Sequence, residues 1–176
     1  VAILEGRPGA FNGIQRRAGF RVSIAVIAQA GDSLVARDLR EAHGLMCVAA
    51  NWYSLGLPEG LFTARELKHG IHAGDIETSL MLALAPQTVN PERAKDFHSL
   101  TEDLASESRF LSIAPSGKLG WQTQDLNPEG ACGDATLANA DKGRAVLDFV
   151  SSRVVELLQE VHAFDLRRLL NEPAWK

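Results

Sequence analysis

The chain has 176 residues, of which 45% are hydrophobic and 23% charged, and its formal net charge is −4 at pH 7. This profile is typical of a globular protein, and the length predicts a single domain over residues 1–176. The acidic balance argues against nucleic acid and anionic membranes as partners, since either would favour a basic patch. No apolar run reaches the roughly 18–20 residues that span a bilayer, and no secretory signal is visible.

We therefore expect a cytoplasmic protein that does not bind a membrane. The two cysteines, Cys47 and Cys132, lie in unrelated contexts and show no metal-like spacing. In a cytoplasmic protein such cysteines are expected to be reduced thiols.

The first third of the chain predicts an α/β unit. Residues 1–20 are rich in glycine and arginine and are expected to be irregular, with a short strand at their start. The apolar segment 22–30 fits a strand or a helix. A helical stripe then ends at Gly44, a typical C-terminal cap, and residues 45–50 predict a buried strand. Trp52 follows this strand at its carboxyl end, where open α/β sheets place their sites.

Two helices are predicted in the middle of the chain. Thr63 is expected to cap a short helix that ends at Leu67, with Glu66 completing a capping box. A second helix is predicted over 75–85, with Asp75 as its cap and proline directly after it.

The second half of the chain is predicted to be a long loop region followed by two helices. Residues 87–130 read mostly as loop, with a short helix at 91–98. A long helix is predicted over 137–162, because its apolar residues follow one stripe. A short helix at 164–170 ends the series.

Residues 69–77 concentrate two imidazoles and two carboxylates near the start of the second helix. An imidazole beside a carboxylate can act as a general acid and base, and the same groups bind zinc or manganese. Each residue also has a structural explanation. Asp75 suits a helix cap, Glu77 suits the helix dipole, His69 suits a cation at a helix end, and His72 could be a structural histidine.

Two sequence motifs resemble one known family. HAGDIETSLML at residues 72–82 closely resembles the HAG-x-x-ETS-x-ML motif of the creatininase (creatinine amidohydrolase) family. GACGDATLANADKG at residues 130–143 resembles the glycine-rich segment that enters that family's last long helix, and Asn51-Trp52 also fits. The resemblance covers about residues 31–165.

Membership would imply a creatininase-like three-layer α/β sandwich with a largely parallel sheet. It would also imply a two-metal site, occupied by zinc or manganese, whose activated water cleaves a small cyclic or linear amide. By resemblance His72 is the proton-transfer residue and Glu77 supports it. Trp52 would line the substrate pocket, and family members often form hexamers.

The resemblance is weaker for the substrate itself. Members that act on creatinine carry a tryptophan and an aspartate where this chain has Lys68 and His69. These two residues are therefore candidates for binding a different substrate, and a carboxylate-bearing amide would suit Lys68.

The metal-ligand motifs of the family have no counterpart in this sequence. One is an E-x-H pair followed by an aspartate, and the other is an N-G-H-G-G-N loop, which Phe11-Asn12-Gly13 only begins to match. We therefore assign no metal ligand and expect a domain incomplete at its N-terminus. Three hypotheses stay open: a metal-dependent amidohydrolase, an inactive or truncated homologue that acts as a structural or assembly subunit, and a metal-free enzyme. In each case an uncovered sheet edge predicts a homo-oligomer.

Overall fold

The computed structural model describes residues 22–26, 32–44, 46–113 and 117–170. The chain divides into two compact units, one comprising Val1–Gly56 with Ser152–Lys176 and the other Leu57–Ser151. The irregular segment predicted over 1–20 lies outside the described residues. The single domain expected over the whole chain stays a prediction. Within the described ranges no helix is long and apolar enough to cross a membrane.

The first unit contains the predicted α/β arrangement. Two parallel strands pair in register, with Val22 opposite Met46. Gly44 ends the intervening helix with a φ of 64°, and its N–H donates to the Arg40 carbonyl at 3.0 Å, which confirms the predicted glycine cap. The elements are β1 (Val22–Val26), α1 (Asp32–His43) and β2 (Met46–Ala50).

A short 3-10 turn, Trp52–Leu55, follows β2 directly. The Asn51 side chain accepts a hydrogen bond from the Tyr53 N–H at 2.9 Å and so fixes the start of this turn. The Trp52 and Tyr53 rings meet edge to face with centroids 5.4 Å apart. Trp52 therefore lies at the carboxyl end of the strand, as predicted.

The described part of the second unit contains short helices and one antiparallel strand pair. Its buried apolar side chains are few and come from helices and loops alike: Ile76, Leu126, Ala131, Cys132, Ala135 and Val146. The elements are α2 (Ala64–His69), α3 (Asp75–Leu84), β3 (Asp96–Phe97), α4 (Leu100–Glu107), α5 (Thr123–Leu126), β4 (Gly133–Asp134) and the first half of α6 (Ala140–Ala163).

The described residues of 87–130 are mostly loop, as predicted, but two helices within this region were not predicted. Helix α4 starts with a full capping box between Ser99 and Glu102, and α5 follows later in the same region. The helix predicted at 91–98 is wrong, because only Pro91–Arg93 form a 3-10 turn before the chain extends into β3. That extension is stabilised by β4, more than thirty residues away in sequence, which a local pattern does not show.

The C-terminal helices differ in length from their predictions. Helix α6 begins at Ala140, after a separate 3-10 turn at Ala135–Leu137. Of its predicted apolar stripe, Val146 and Val161 are buried, whereas Leu158 is 42% exposed. The helix predicted at 164–170 is wrong, since only a 3-10 turn, Leu166–Arg168, forms there.

Arg65 joins α2, β3 and α4 through two carboxylates. Its guanidinium donates to both oxygens of Glu102, at 2.7 and 2.9 Å, and to Asp96 at 2.7 Å. This fork geometry holds the pKa of Glu102 at about 2, well below its ordinary value. The cluster anchors the helix that precedes the histidine-rich turn.

Candidate active site

His72 and Glu77 lie together at the amino end of α3. The distance from His72 Nδ1 to Glu77 Oε2 is 3.9 Å, and the two side chains are 41% and 46% exposed. The Glu77 carboxylate is fixed by the Ala73 N–H, which donates to Oε2 at 2.8 Å. The structure thus brings together the two residues that the sequence proposed as catalytic.

The turn between them is strained at Ala73, whose φ is 52°. Residues other than glycine, asparagine and aspartate rarely adopt this left-handed conformation, which costs on the order of 1 kcal/mol. Besides the Glu77 bond, the Thr78 hydroxyl donates to the Ala73 carbonyl at 3.1 Å. The strain therefore lies one residue before Gly74, the position the sequence suggested for the tight turn.

Two further residues border His72. Its ring lies 6.0 Å, centroid to centroid, from the ring of Trp121, with the planes tilted by 58°. Its backbone carbonyl accepts a hydrogen bond from the N–H of Cys132 at 2.7 Å. Cys132 is buried, and neither it nor Cys47 forms a disulfide in the structure.

Asp75 is not the helix cap that the sequence favoured. Gly74 takes the N-cap position without a side-chain bond, and Asp75 is the first helical residue, fully buried. Its Oδ2 accepts from Lys142 Nζ at 2.5 Å and its Oδ1 from the Ser79 hydroxyl at 3.1 Å. The carboxylate therefore ties α3 to α6 instead of capping its own helix.

Glu66 only half forms the predicted capping box. The Thr63 hydroxyl does accept from the Glu66 N–H at 3.1 Å. The Glu66 side chain does not return to Thr63, however. It is buried, with 3% exposure, and accepts backbone N–H bonds from Ile76 and Asp134. Burial raises the pKa of this carboxyl, although the two hydrogen bonds oppose the shift.

The predicted substrate-binding residues belong to different units. Lys68 and His69 occupy the last turn of α2 in the second unit, whereas Trp52 belongs to the first unit. His69 Nδ1 lies 2.9 Å from the Thr101 hydroxyl. Burial, followed by the charge of Lys68, lowers the pKa of His69, so the alternative of a cation at the helix end is disfavoured.

The described residues do not fit a two-metal centre by themselves. Within those ranges no group of three or more His, Cys, Asp or Glu side chains could hold a metal ion. His72 and Glu77 offer two donor groups, whereas zinc sites use three or four protein ligands. Both oxygens of Asp75 and both of Glu66 already accept hydrogen bonds.

Sequence reasoning missed three residues of this region: Glu66 as a buried acceptor, Trp121 beside the imidazole and Lys142 as the partner of Asp75. Trp121 and Lys142 lie 49 and 70 residues from His72 in the sequence, so no local pattern joins them to it. For Lys142 one signal existed, because a lysine sat inside the second family motif. Its charge needed a partner, and the aspartate of the first motif was available.

The sequence of this chain is similar to a known protein family and to one curated hydrolase. The sequence model described as creatininase, creatinine amidohydrolase, matches residues 16–158. The 3-dehydro-scyllo-inosose hydrolase of Thermotoga maritima is 34% identical over 105 residues. That match covers 53% of this chain and 34% of the Thermotoga protein, so the chain spans about a third of this curated relative.

Solved structures support the same fold. A protein of Bacteroides fragilis NCTC 9343, assigned as a creatinine amidohydrolase, superposes with a TM-score of 0.62 at 23% identity, covering 82% of this chain and 55% of its own. A mutant creatininase of the Zn–Zn type and a manganese creatininase each give 0.50 at 21%, covering 76% of this chain and 50% and 51% of theirs. The resemblance stated from the motifs and the α/β fold class are confirmed.

Proposed function

Because the chain belongs to the creatininase family, we propose that it carries the proton-transfer part of an amidohydrolase site, with His72 and Glu77 as the catalytic residues. The substrate class is a small cyclic or linear amide. The family membership supports the reaction class, since the family model is described as creatinine amidohydrolase. The chain spans about half of the solved chains it matches, so activity and substrate are proposals for the protein as given.

One observation carries this proposal. Of the carboxylates in the region, Glu66 and Asp75 are buried and bonded on both oxygens, whereas Glu77 is half-exposed beside a half-exposed imidazole. The protein thus leaves one acid and one imidazole accessible to a small molecule. Such a pair is the usual arrangement for moving a proton to or from a reacting group.

The geometry suggests how the pair would divide the work. Glu77 faces Nδ1 of His72, and the Ala73 N–H holds that carboxylate in place. A carboxylate that faces Nδ1 orients the ring, which leaves Nε2 to exchange a proton with the substrate. We assign Nε2 the removal of a proton from water as the water oxygen bonds to the amide carbon and the carbonyl π electrons move to its oxygen. The ring then donates that proton to the amide nitrogen as the carbonyl re-forms and the C–N bond breaks, which releases the amine and restores the ring.

Zinc or manganese stays an expectation from the family. The described residues supply no complete ligand set, so no step of the proposed reaction is assigned to a metal. A small-molecule amide as partner and a homo-oligomer likewise remain part of the proposal. We also propose that Trp52 and His69 bind the substrate.

The test replaces His72 with glutamine in the purified protein. We expect hydrolysis of small amides, assayed by product release over a panel that includes creatinine, to fall by about 10²–10⁴-fold because the proton-transfer group is lost. His98→Gln is the matched control, since His98 is an exposed histidine that pairs with Asp103 at 2.9 Å. Its activity should equal that of the unmodified chain.

The same assay separates the open alternatives. Zinc and manganese are supplied in turn, and bound metal is measured by mass spectrometry. No hydrolysis of any amide under either condition would contradict the proposal and favour a structural or assembly subunit. Hydrolysis without bound metal would instead favour an enzyme that uses His72 and Glu77 alone.

For the substrate class we propose an amide that carries a carboxylate, recognised by the exposed Lys68 at the end of α2. Lys68→Ala is expected to raise the KM for anionic amides by about tenfold and leave neutral amides unchanged, because only the anion loses a counter-charge. Equal effects on both substrate classes would argue against this role.

A further inference from the structure

Glu66 is a buried carboxylate directly beneath the turn that bears His72. Its Oε1 accepts from the Ile76 N–H at 3.0 Å, and its Oε2 accepts from the Asp134 N–H at 3.3 Å. Ile76 belongs to the first turn of α3, whose N–H groups have no partner within the helix, and Asp134 belongs to β4. One side chain from α2 therefore bonds to two other elements.

The space around this carboxylate is created by three glycines. A Cβ placed on Gly70 would lie 2.3 Å from Glu66 Cδ, and one on Gly74 or Gly133 would lie 2.5 Å from a carboxylate oxygen. Atoms do not approach this closely, so any larger residue at these positions would displace the glutamate. Gly74 belongs to the first family motif and Gly133 to the second, and contact with the Glu66 carboxylate gives both positions the same physical reason for glycine.

Both ends of the turn that bears His72 are hydrogen-bonded to Glu66. The Gly70 N–H donates to the backbone carbonyl of Glu66 at 2.8 Å, and the Ile76 N–H donates to its side chain. His72 lies between these two attachments. The third attachment, from Asp134, leads to the strand next to Cys132, whose N–H holds the His72 carbonyl.

A charged group in this position is unfavourable unless it is well bonded. Burial of the carboxylate costs free energy, which is the reason that its pKa is raised. Glutamine would fill the same volume without charge, but its amide offers one acceptor oxygen where two N–H groups point inward. A carboxylate suits this position because it supplies two acceptor oxygens for the two N–H groups.

We propose that Glu66 is a positioning residue for the His72–Glu77 pair, fixing the turn from both ends and from β4 while touching no substrate. This inference rests on the proposed function. It adds a residue outside both family motifs and assigns it an effect on turnover instead of on substrate binding.

The first test is Glu66→Gln, with Glu59→Gln in an exposed loop as the control. We expect kcat to fall by about a hundredfold, since small displacements of catalytic groups have effects of this size, while KM changes by less than about twofold. Glu66→Asp keeps both acceptors but withdraws them by one bond. It should lose less activity than Glu66→Gln with the same unchanged KM. A purely structural role would lower the folded fraction and leave kcat per folded molecule unchanged, which would overturn the proposal.

The second test does not depend on activity, and its first measurement needs no variant. Hydrogen exchange of the unmodified chain should show the amides of Ile76 and Asp134 as protected as that of buried Val146. In Glu66→Gln these two amides and that of Ala73 should exchange at least about tenfold faster, with Val146 unchanged. Fast exchange of Ile76 and Asp134 in the unmodified chain would overturn the proposal. Inactivity of that chain toward every amide, with the exchange pattern as expected, would contradict the proposed function alone.

Discussion

Replacing Lys142 with methionine is expected to lower the free energy of unfolding by about 3–5 kcal/mol, because it leaves the buried Asp75 carboxylate without its cation. The lysine is only 20% exposed and its ammonium also donates to the Leu137 carbonyl at 3.0 Å. The Phe62 ring lies 5.5 Å from the same ammonium and limits its access to water. Urea unfolding measured by circular dichroism checks this value.

The matched control is Lys95→Met. Lys95 forms an ion pair with Glu129 at 2.8 Å, but both partners are more than half exposed. Exposed pairs of this kind contribute at most about 1 kcal/mol. The double change Asp75→Asn with Lys142→Met should recover part of the loss, since no charge is then left unpaired. If Lys142→Met were no more costly than Lys95→Met, the buried pair would not be the bond between α3 and α6 that we describe.

Gly143→Ala is the second substitution with a large expected effect. A Cβ at this position would lie 2.0 Å from the Ser79 carbonyl oxygen and 2.8 Å from the Ala83 Cβ. Alanine favours a helix over glycine by about 1 kcal/mol, but a backbone atom cannot yield to this overlap. Because overpacking costs about 1–3 kcal/mol or more, the net effect is expected to be destabilising. Thermal unfolding and hydrogen exchange of α3 amides measure it.

Gly120→Ala provides the comparison for this prediction. No atom lies within 4 Å of a Cβ at Gly120, so its stability should change by less than about 0.5 kcal/mol. A stable Gly143→Ala variant with unchanged exchange in α3 would show that α6 does not approach α3 as closely as described. Lys142 and Gly143 would then need another explanation for their place in the second motif.

Local patterns predicted some elements well and others poorly. The α1 helix with its Gly44 cap and the strand β2 after it were predicted, because apolar periodicity and a terminal glycine are local properties. For the segment that forms β1 the sequence left strand and helix open. Helix α4 was missed although Ser99 and Glu102 form a complete capping box. Its capping signal was present in the sequence, but few apolar residues followed it, so the segment resembled a loop.

The two wrong assignments in the site have one cause. Two carboxylates match helix-capping patterns, that of Glu66 together with Thr63 and that of Asp75 at a helix start. Both patterns assume that the carboxylate accepts a hydrogen bond from a backbone N–H nearby in the sequence. In the folded protein each carboxylate instead bonds to a distant element, Glu66 to Asp134 and Asp75 to Lys142. A capping pattern shows which local hydrogen bonds a side chain can form. It does not show whether a residue far away in the sequence binds the same side chain in the folded protein.

The sequence by itself determined the family, the α/β class of the fold and the placement of His72 and Glu77 around one helix start. These follow from residue types and spacing within short segments. Only the tertiary structure decided which acidic groups of the region stay accessible, because burial depends on packing between segments far apart in the chain. The lysine at 142 and the glycines at 70, 74 and 133 enclose two carboxylates and leave Glu77 exposed beside the imidazole.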